Sequence, residues 1–228
     1  MQEKGKSAEP LSRSAHYQDC RLLAQDKRAE HGVETELLNL RVMAKIYKKE
    51  GITIERRKLK GYRIRAAYYC DDGDCSVLLN KSLPREPKLF ALAHELKHHY
   101  RDQATIQNGE IRCGDYNAQE VIEKGAEVFA AEFIYPESET RILINQLGIT
   151  SHTCTAETIV RFKRQCPACV SFKFLVKRFE WLGLCPKGAY DKIRFRKLEQ
   201  EVFGTPFYQQ EWFKERRARK YASRTQTK

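Results

Sequence analysis

The chain has 228 residues, 32% charged and 41% hydrophobic, with eight cysteines and a formal net charge of +12 at pH 7. No run approaches the ~20 apolar residues of a membrane span, and the opening residues 1–7 carry no apolar stretch of a secretion signal. A soluble, cytoplasmic protein is expected rather than a membrane protein, and its cysteines are expected as thiols or metal ligands more than as a disulfide framework.

A field of this sign attracts nucleic acid and acidic surfaces whatever the fold. Much of the charge falls in the last 40 residues, which favours a basic tail over a uniformly basic molecule.

Residues 1–33 are polar, with Pro10 and no sustained period, and are expected as a loose lead-in in which His16, Cys20 and His31 serve local packing. From Glu34 the pattern turns helical: Leu38, Val42, Met43, Ile46 and Tyr47 form one stripe, stopped by Gly51. Ile52-Thr53-Ile54 is β-branched, and Tyr62, Ile64, Ala66 and Tyr68 alternate with Arg63, Arg65 and Ala67 as in a half-buried strand. Asp71-Asp72-Gly73-Asp74 is a turn, and Cys75–Asn80 returns as the second strand of a hairpin. Cys70 and Cys75 flank it and could pair or bind metal, although two cysteines beside a turn usually have no function.

Pro84 and Pro87 suit the first turn of a helix carrying Ala93-His94-Glu95-Leu96-Lys97-His98-His99. On that helix His94 and His98 lie one turn apart on one face, close enough to share a metal ion. Zn2+ accepts neutral imidazole nitrogens, and a catalytic zinc uses three protein ligands and keeps one position for water. Glu95 is placed to take a proton from that water and pass it to a leaving amine. A histidine-rich solvated face is the plain alternative, but Leu89, Leu92 and Leu96 sit opposite the histidines, as on a helix whose back is buried.

Residues 102–118 read as a loop with Gly109, Gly114 and Asn117 as breakers, able to overhang a cleft. Gln119 to Pro136 follows as an amphipathic helix in which Glu123 shares a face with Ala126, Ala130 and Ile134. An inward carboxylate beside small residues is what a third zinc ligand requires. Glu127, one turn further, is the rival candidate and Glu120 a weaker one.

Leu89-Phe90-Ala91-Leu92-Ala93-His94-Glu95-Leu96-Lys97-His98 and the later run from Glu123 through Ala126, Phe129, Ala130 and Ala131 to Pro136 resemble the two motifs of the ImmA/IrrE family of metallopeptidases. The resemblance covers about residues 36–136. It implies an α+β, mainly helical, zincin-like core of gluzincin type with a small β-hairpin sheet, followed by a helical C-terminal region. It further implies His94, His98 and Glu123 as zinc ligands and Glu95 as general base. The implied substrate is a helix-turn-helix repressor, cut to relieve repression of stress genes or mobile elements. Glu127 stands where the family usually has Asn or Asp, and Lys97 where glycine is frequent. Glu127 and His99 are candidates to hydrogen-bond a ligating histidine from behind. Tyr100, Arg112 and Tyr116, with His99, are the nearby donors for an oxyanion.

Beyond Pro136, helices are expected over 137–147, 155–165 and 170–182, the last two in helix-turn-helix outline. Cys166 and Cys169 form one C-x-x-C, with Cys154 before and Cys185 after it. A second CxxC knuckle is missing, so local packing is expected over a four-thiolate zinc. The tail, 194–228, interleaves aromatic residues such as Trp212 and Phe213 with Lys214, Arg216, Arg217, Arg219 and Lys220. It suits a docked helix with a solvated basic run, and would also suit contact with DNA.

The resulting organisation is a lead-in (1–33), a metallopeptidase domain (34–150), a helical region (151–193) and a basic aromatic tail (194–228). The leading expectation is a zinc-dependent endopeptidase. Its rivals are a DNA-associated regulatory protein with a structural zinc and no turnover, and a scaffold that has kept the fold but lost turnover.

Overall fold

A computed structural model describes residues 12–59, 64–109 and 120–204. The protein is mixed α+β, mostly helical with one three-stranded sheet. No described helix is long and apolar enough to cross a membrane. The chain divides into two compact units, Met1–Arg141 with Pro167–Ser171 and Ile142–Cys166 with Phe172–Lys228.

The first unit begins with α1, Arg13–Glu30, where a loose lead-in was expected. Ser12 caps it, its Oγ accepting from the Ala15 N–H at 3.3 Å. Its buried side is Cys20, Ala24 and Arg28, two small residues and a cation, too thin a stripe to register as a hydrophobic period. It packs along α5, Glu120–Ile134. Gly125 leaves room for two α1 side chains, since a Cβ there would stand 2.5 Å from His16 Nε2 and 3.0 Å from Cys20 Sγ. The buried Arg28 guanidinium donates to the Phe133 carbonyl and to Thr35 Oγ1.

Helix α2, Leu40–Lys49, starts later than the periodicity from Glu34 suggests. Asn39 sets the start, its Oδ1 accepting from the N–H groups of Arg41 and Val42 at 2.8 and 3.3 Å. Leu38 is buried all the same, from the turn before the cap.

The strands β1 (Ile52–Arg57), β2 (Ala66–Asp71) and β3 (Asp74–Asn80) lie in the order β1-β3-β2. β2 and β3 form the expected hairpin around Asp72 and Gly73, which both take positive φ (44° and 87°), as a two-residue turn of type I′ requires. β1 pairs parallel with β3, Ile52 opposite Cys75. β2 begins at Ala66 rather than Tyr62; Ile64 is 53% exposed, and Tyr62 and Arg63 lie outside the described residues. The hairpin register puts Cys70 directly opposite Cys75 with Cα atoms 4.1 Å apart, and the two form a disulfide. Of the two uses left open for this pair, pairing or metal binding, the structure shows pairing, an exception to the general expectation of thiols: the two-residue turn makes the pair cross-strand partners within bonding reach.

Helix α3, Arg85–Lys97, buries Leu89, Leu92 and Leu96 as its wheel predicts. It does not yield to a loop at residue 102. The backbone continues through a π-helical turn, His98–Asp102, into the short α4, Gln103–Gln107. The rest of the expected loop, 110–119, lies outside the described residues.

Helix α6, Glu137–Gln146, leads into the second unit. There α7 (Ala156–Gln165) packs with α8 (Phe172–Trp181) and α9 (Phe195–Phe203); the buried Phe162 and Phe179 rings meet edge to face at 5.0 Å, and Phe172 stacks on Phe195 at 4.9 Å. The buried Cys154 and Cys185 thiols are hydrogen-bonded to each other, and Cys166 and Cys169 are half-buried. Residues 205–228, and with them most of the expected tail, lie outside the described residues.

Candidate metal centre

The 3.6-residue period of α3, carried into the π-helical turn, sets His94 and His98 on one face, and α5 packs against that face with Glu123 in its first turn. His98 Nε2 lies 3.3 Å from His94 Nε2 and 3.8 Å from Glu123 Oε1, and His94 Nε2 lies 3.1 Å from Glu123 Oε2. Donors bound tetrahedrally to zinc at ~2.0–2.1 Å stand about 3.3 Å apart. The three side chains therefore frame a space of the size a metal ion fills, and each offers one donor atom to it.

The donor chemistry fits as well. His98 Nδ1 lies 2.7 Å from Asp102 Oδ2. A carboxylate accepts, so Nδ1 carries the proton and Nε2 turns a lone pair toward Glu123 and His94. Glu123 is 1% exposed and His98 fully buried, so the cluster is shielded from solvent, where a carboxylate needs a cation beside it.

Glu95 is 5% exposed. Its carboxylate accepts from the backbone N–H of Tyr68 in β2, while Oε2 has no hydrogen-bond partner among the described residues. An orphaned buried oxygen beside a donor cluster is characteristic of a group with a reacting partner to serve. Burial raises the Glu95 pKa, against the opposing pull of His94 and His98, toward the range suited to a general base. In the metal-free chain burial penalises the charged form of His94, but the Glu123 hydrogen bond and the charges of Glu95, Glu123 and Glu127 outweigh it and raise its pKa. For Asp102 burial pushes the pKa up, and the hydrogen bonds and charges of His98 and Lys97 more than reverse this.

Other residues singled out in the sequence fall elsewhere. Glu127 pairs with Lys124, Oε2 to Nζ 2.8 Å, with 38% of its side chain exposed. Glu120 is exposed. His99 turns away from His98 toward Tyr68, whose hydroxyl lies 3.0 Å from its Nδ1, and toward Glu50. Tyr100 donates to Glu50, which also sits 2.8 Å from His31 Nε2. Glu30, His31 and Glu50 form a second cluster of metal-ligand type, but hydrogen bonds close it and Lys27 neutralises Glu30 at 2.7 Å. Arg112 and Tyr116 lie outside the described residues.

Sequence reading missed Asp102. Its spacing from His98 is the same i,i+4 that links His98 to His94, so the signal was present, hidden by the assignment of residue 102 to a loop.

In comparison with known families, residues 47–164, about half of the chain, match the model of a peptidase family described as the IrrE N-terminal-like domain. A comparison with curated proteins finds no match.

Proposed function

The chain belongs to the peptidase family of the IrrE N-terminal-like domain, and from that premise we propose that it is a zinc-dependent endopeptidase of gluzincin type acting in the cytoplasm. The observation that carries the reading is the convergence of His94, His98 and Glu123 within 4.8 Å of one another, with Glu95 next in the chain to the first histidine. Zinc in that cluster would supply Lewis acidity toward a peptide carbonyl and acidify water.

The chain's own residues do the rest. His98, held by Asp102, and His94 present neutral Nε2 atoms, and Glu123 supplies the compensating negative charge. Glu95 takes the proton of the attacking water on its unpartnered oxygen and delivers it to the leaving nitrogen, a return trip that a pKa raised by burial favours. The outer edge of β2, where the Tyr68 N–H meets Glu95, is where an extended peptide would lie.

The substrate in this proposal is a helix-turn-helix repressor, as the resemblance to the ImmA/IrrE family implies, and cleavage relieves repression. The basic run Lys214–Lys220, outside the described residues, would bring the enzyme to a DNA-bound target.

The test is incubation of the zinc-loaded protein with the repressor encoded beside its gene, wild type against Glu95→Gln. The proposal expects cleavage only by the wild type. Equal cleavage by both proteins would overturn the mechanism, and no cleavage by either would overturn the substrate assignment.

A further inference from the structure

Lys97 lies between Leu96 and His98 with none of its surface exposed. A buried ammonium is costly unless its hydrogens are matched and its charge countered. Its Nζ donates to Asp102 Oδ2 at 2.7 Å and to the carbonyl of Ile122 at 3.3 Å. Both acceptors lead to the metal cluster. Asp102 Oδ2 is the same atom that His98 Nδ1 meets at 2.7 Å, and Ile122 immediately precedes Glu123 in the first turn of α5.

The π-helical turn makes this possible. In an α-helix, neighbours on one face are three or four residues apart, and a residue five along has rotated past. A turn closed by i→i+5 bonds is one residue wider, so Asp102 faces both His98, four residues back, and Lys97, five back. The widened turn thus gives one carboxylate two donors.

From this juxtaposition we infer that Lys97 is a positioning residue for the metal centre: one buried cation holds Asp102 as the acceptor that orients His98, and ties down the turn of α5 that presents Glu123. The inference rests on the reading of His94, His98 and Glu123 as a metal site. Lys97 touches neither substrate nor metal, and acts through the two ligands that come from different helices.

The experiment loads the full chain with zinc, and separately with cobalt(II), whose visible spectrum reports ligand geometry. Zinc affinity is measured by chelator competition for wild type, Lys97→Met, Lys97→Arg, Asp102→Asn and the Lys97→Met/Asp102→Asn double variant. Lys97→Met and Asp102→Asn are each expected to weaken zinc binding by about ten- to a hundred-fold and to shift the cobalt spectrum. Lys97→Arg should recover most of both. The double variant should bind no more weakly than the worse single one, because both residues act through one carboxylate. Should Lys97→Met fail to fold, Lys97→Gln, which keeps an N–H donor and removes the charge, carries the test: wild-type zinc affinity and an unchanged cobalt spectrum in that variant would overturn the inference.

A merely structural lysine would lower the unfolding midpoint of the metal-free variants while folded molecules kept wild-type zinc affinity and an unchanged cobalt spectrum. That result would overturn the inference and leave the metal site standing. A wild-type chain that binds neither zinc nor cobalt would overturn the metal site itself, and this inference with it.

Discussion

His98 and Asp102 meet across the π-helical turn at 2.7 Å, Nδ1 to Oδ2, and this contact fixes which nitrogen of His98 is left to face His94 and Glu123. By accepting from Nδ1 the carboxylate holds the ring in one orientation and one tautomer. The cluster of His94, His98 and Glu123 is therefore oriented from the turn that follows the helix, where the i,i+4 spacing brings Asp102 under His98.

Glu95→Gln separates binding from turnover. The amide keeps the size of the side chain and leaves His94, His98 and Glu123 in place, so zinc content should be unchanged and cleavage lost. The substitution also removes a buried carboxylate that has one oxygen without a partner. The metal-free variant should be more stable than wild type near neutral pH by on the order of 1 kcal/mol, measured by urea denaturation. A raised folded-state pKa has the same sign: holding Glu95 ionised costs the wild type stability above its unfolded pKa, and acidification relieves that cost.

The two glutamates one turn apart on α5 should behave differently. Glu123→Ala removes one of three converging donors and should lower zinc affinity by at least about 100-fold. Glu127→Ala removes a partner of Lys124 on an open surface, and the effect on zinc affinity should stay within about ten-fold. Zinc competition on the two variants checks this, and equal losses would reverse the assignment.

Arg28 is the polar centre of the α1–α5 packing. Truncation to alanine strands the buried Phe133 carbonyl and removes the donor to Thr35. A cost of about 3 kcal/mol is expected in chemical denaturation. Lys27→Ala, one residue away and half-buried, removes an ion pair with Glu30 and a cation over the Tyr100 ring and should cost no more than about 1 kcal/mol.

Burial raises the Cys20 pKa from 9.0 to about 11. Below pH 9 both folded and unfolded chains keep the proton. Between the two values only the unfolded chain ionises, so stability falls as pH rises through that window. Cys20→Ala should flatten this alkaline loss, read from denaturation midpoints between pH 8 and pH 11. Native Cys20 should also resist alkylation at pH 8 until the protein is unfolded.

Local chemistry was legible in the sequence. The i,i+4 spacing of His94 and His98, the buried back formed by Leu89, Leu92 and Leu96, and the Asp72-Gly73 turn of the hairpin depend only on helical period and turn conformation, which short stretches encode. Helix α1 was not legible, because its buried side is Cys20, Ala24 and Arg28 rather than an apolar stripe, and only α5 opposite, opened at Gly125, gives those residues something to pack on.

By itself, then, the sequence determined that a histidine pair with an adjacent glutamate would share a helix, and that a second helix with three acidic candidates would follow. Tertiary structure brought Glu123, already the favoured carboxylate on its helix wheel, up to the histidines, and alone decided that β1 joins β3 in parallel and that Lys97 reaches Asp102 across a widened turn. These are contacts between distant segments or departures from the regular period: the pattern within one element shows which face turns inward, and not what that face meets or where the period changes.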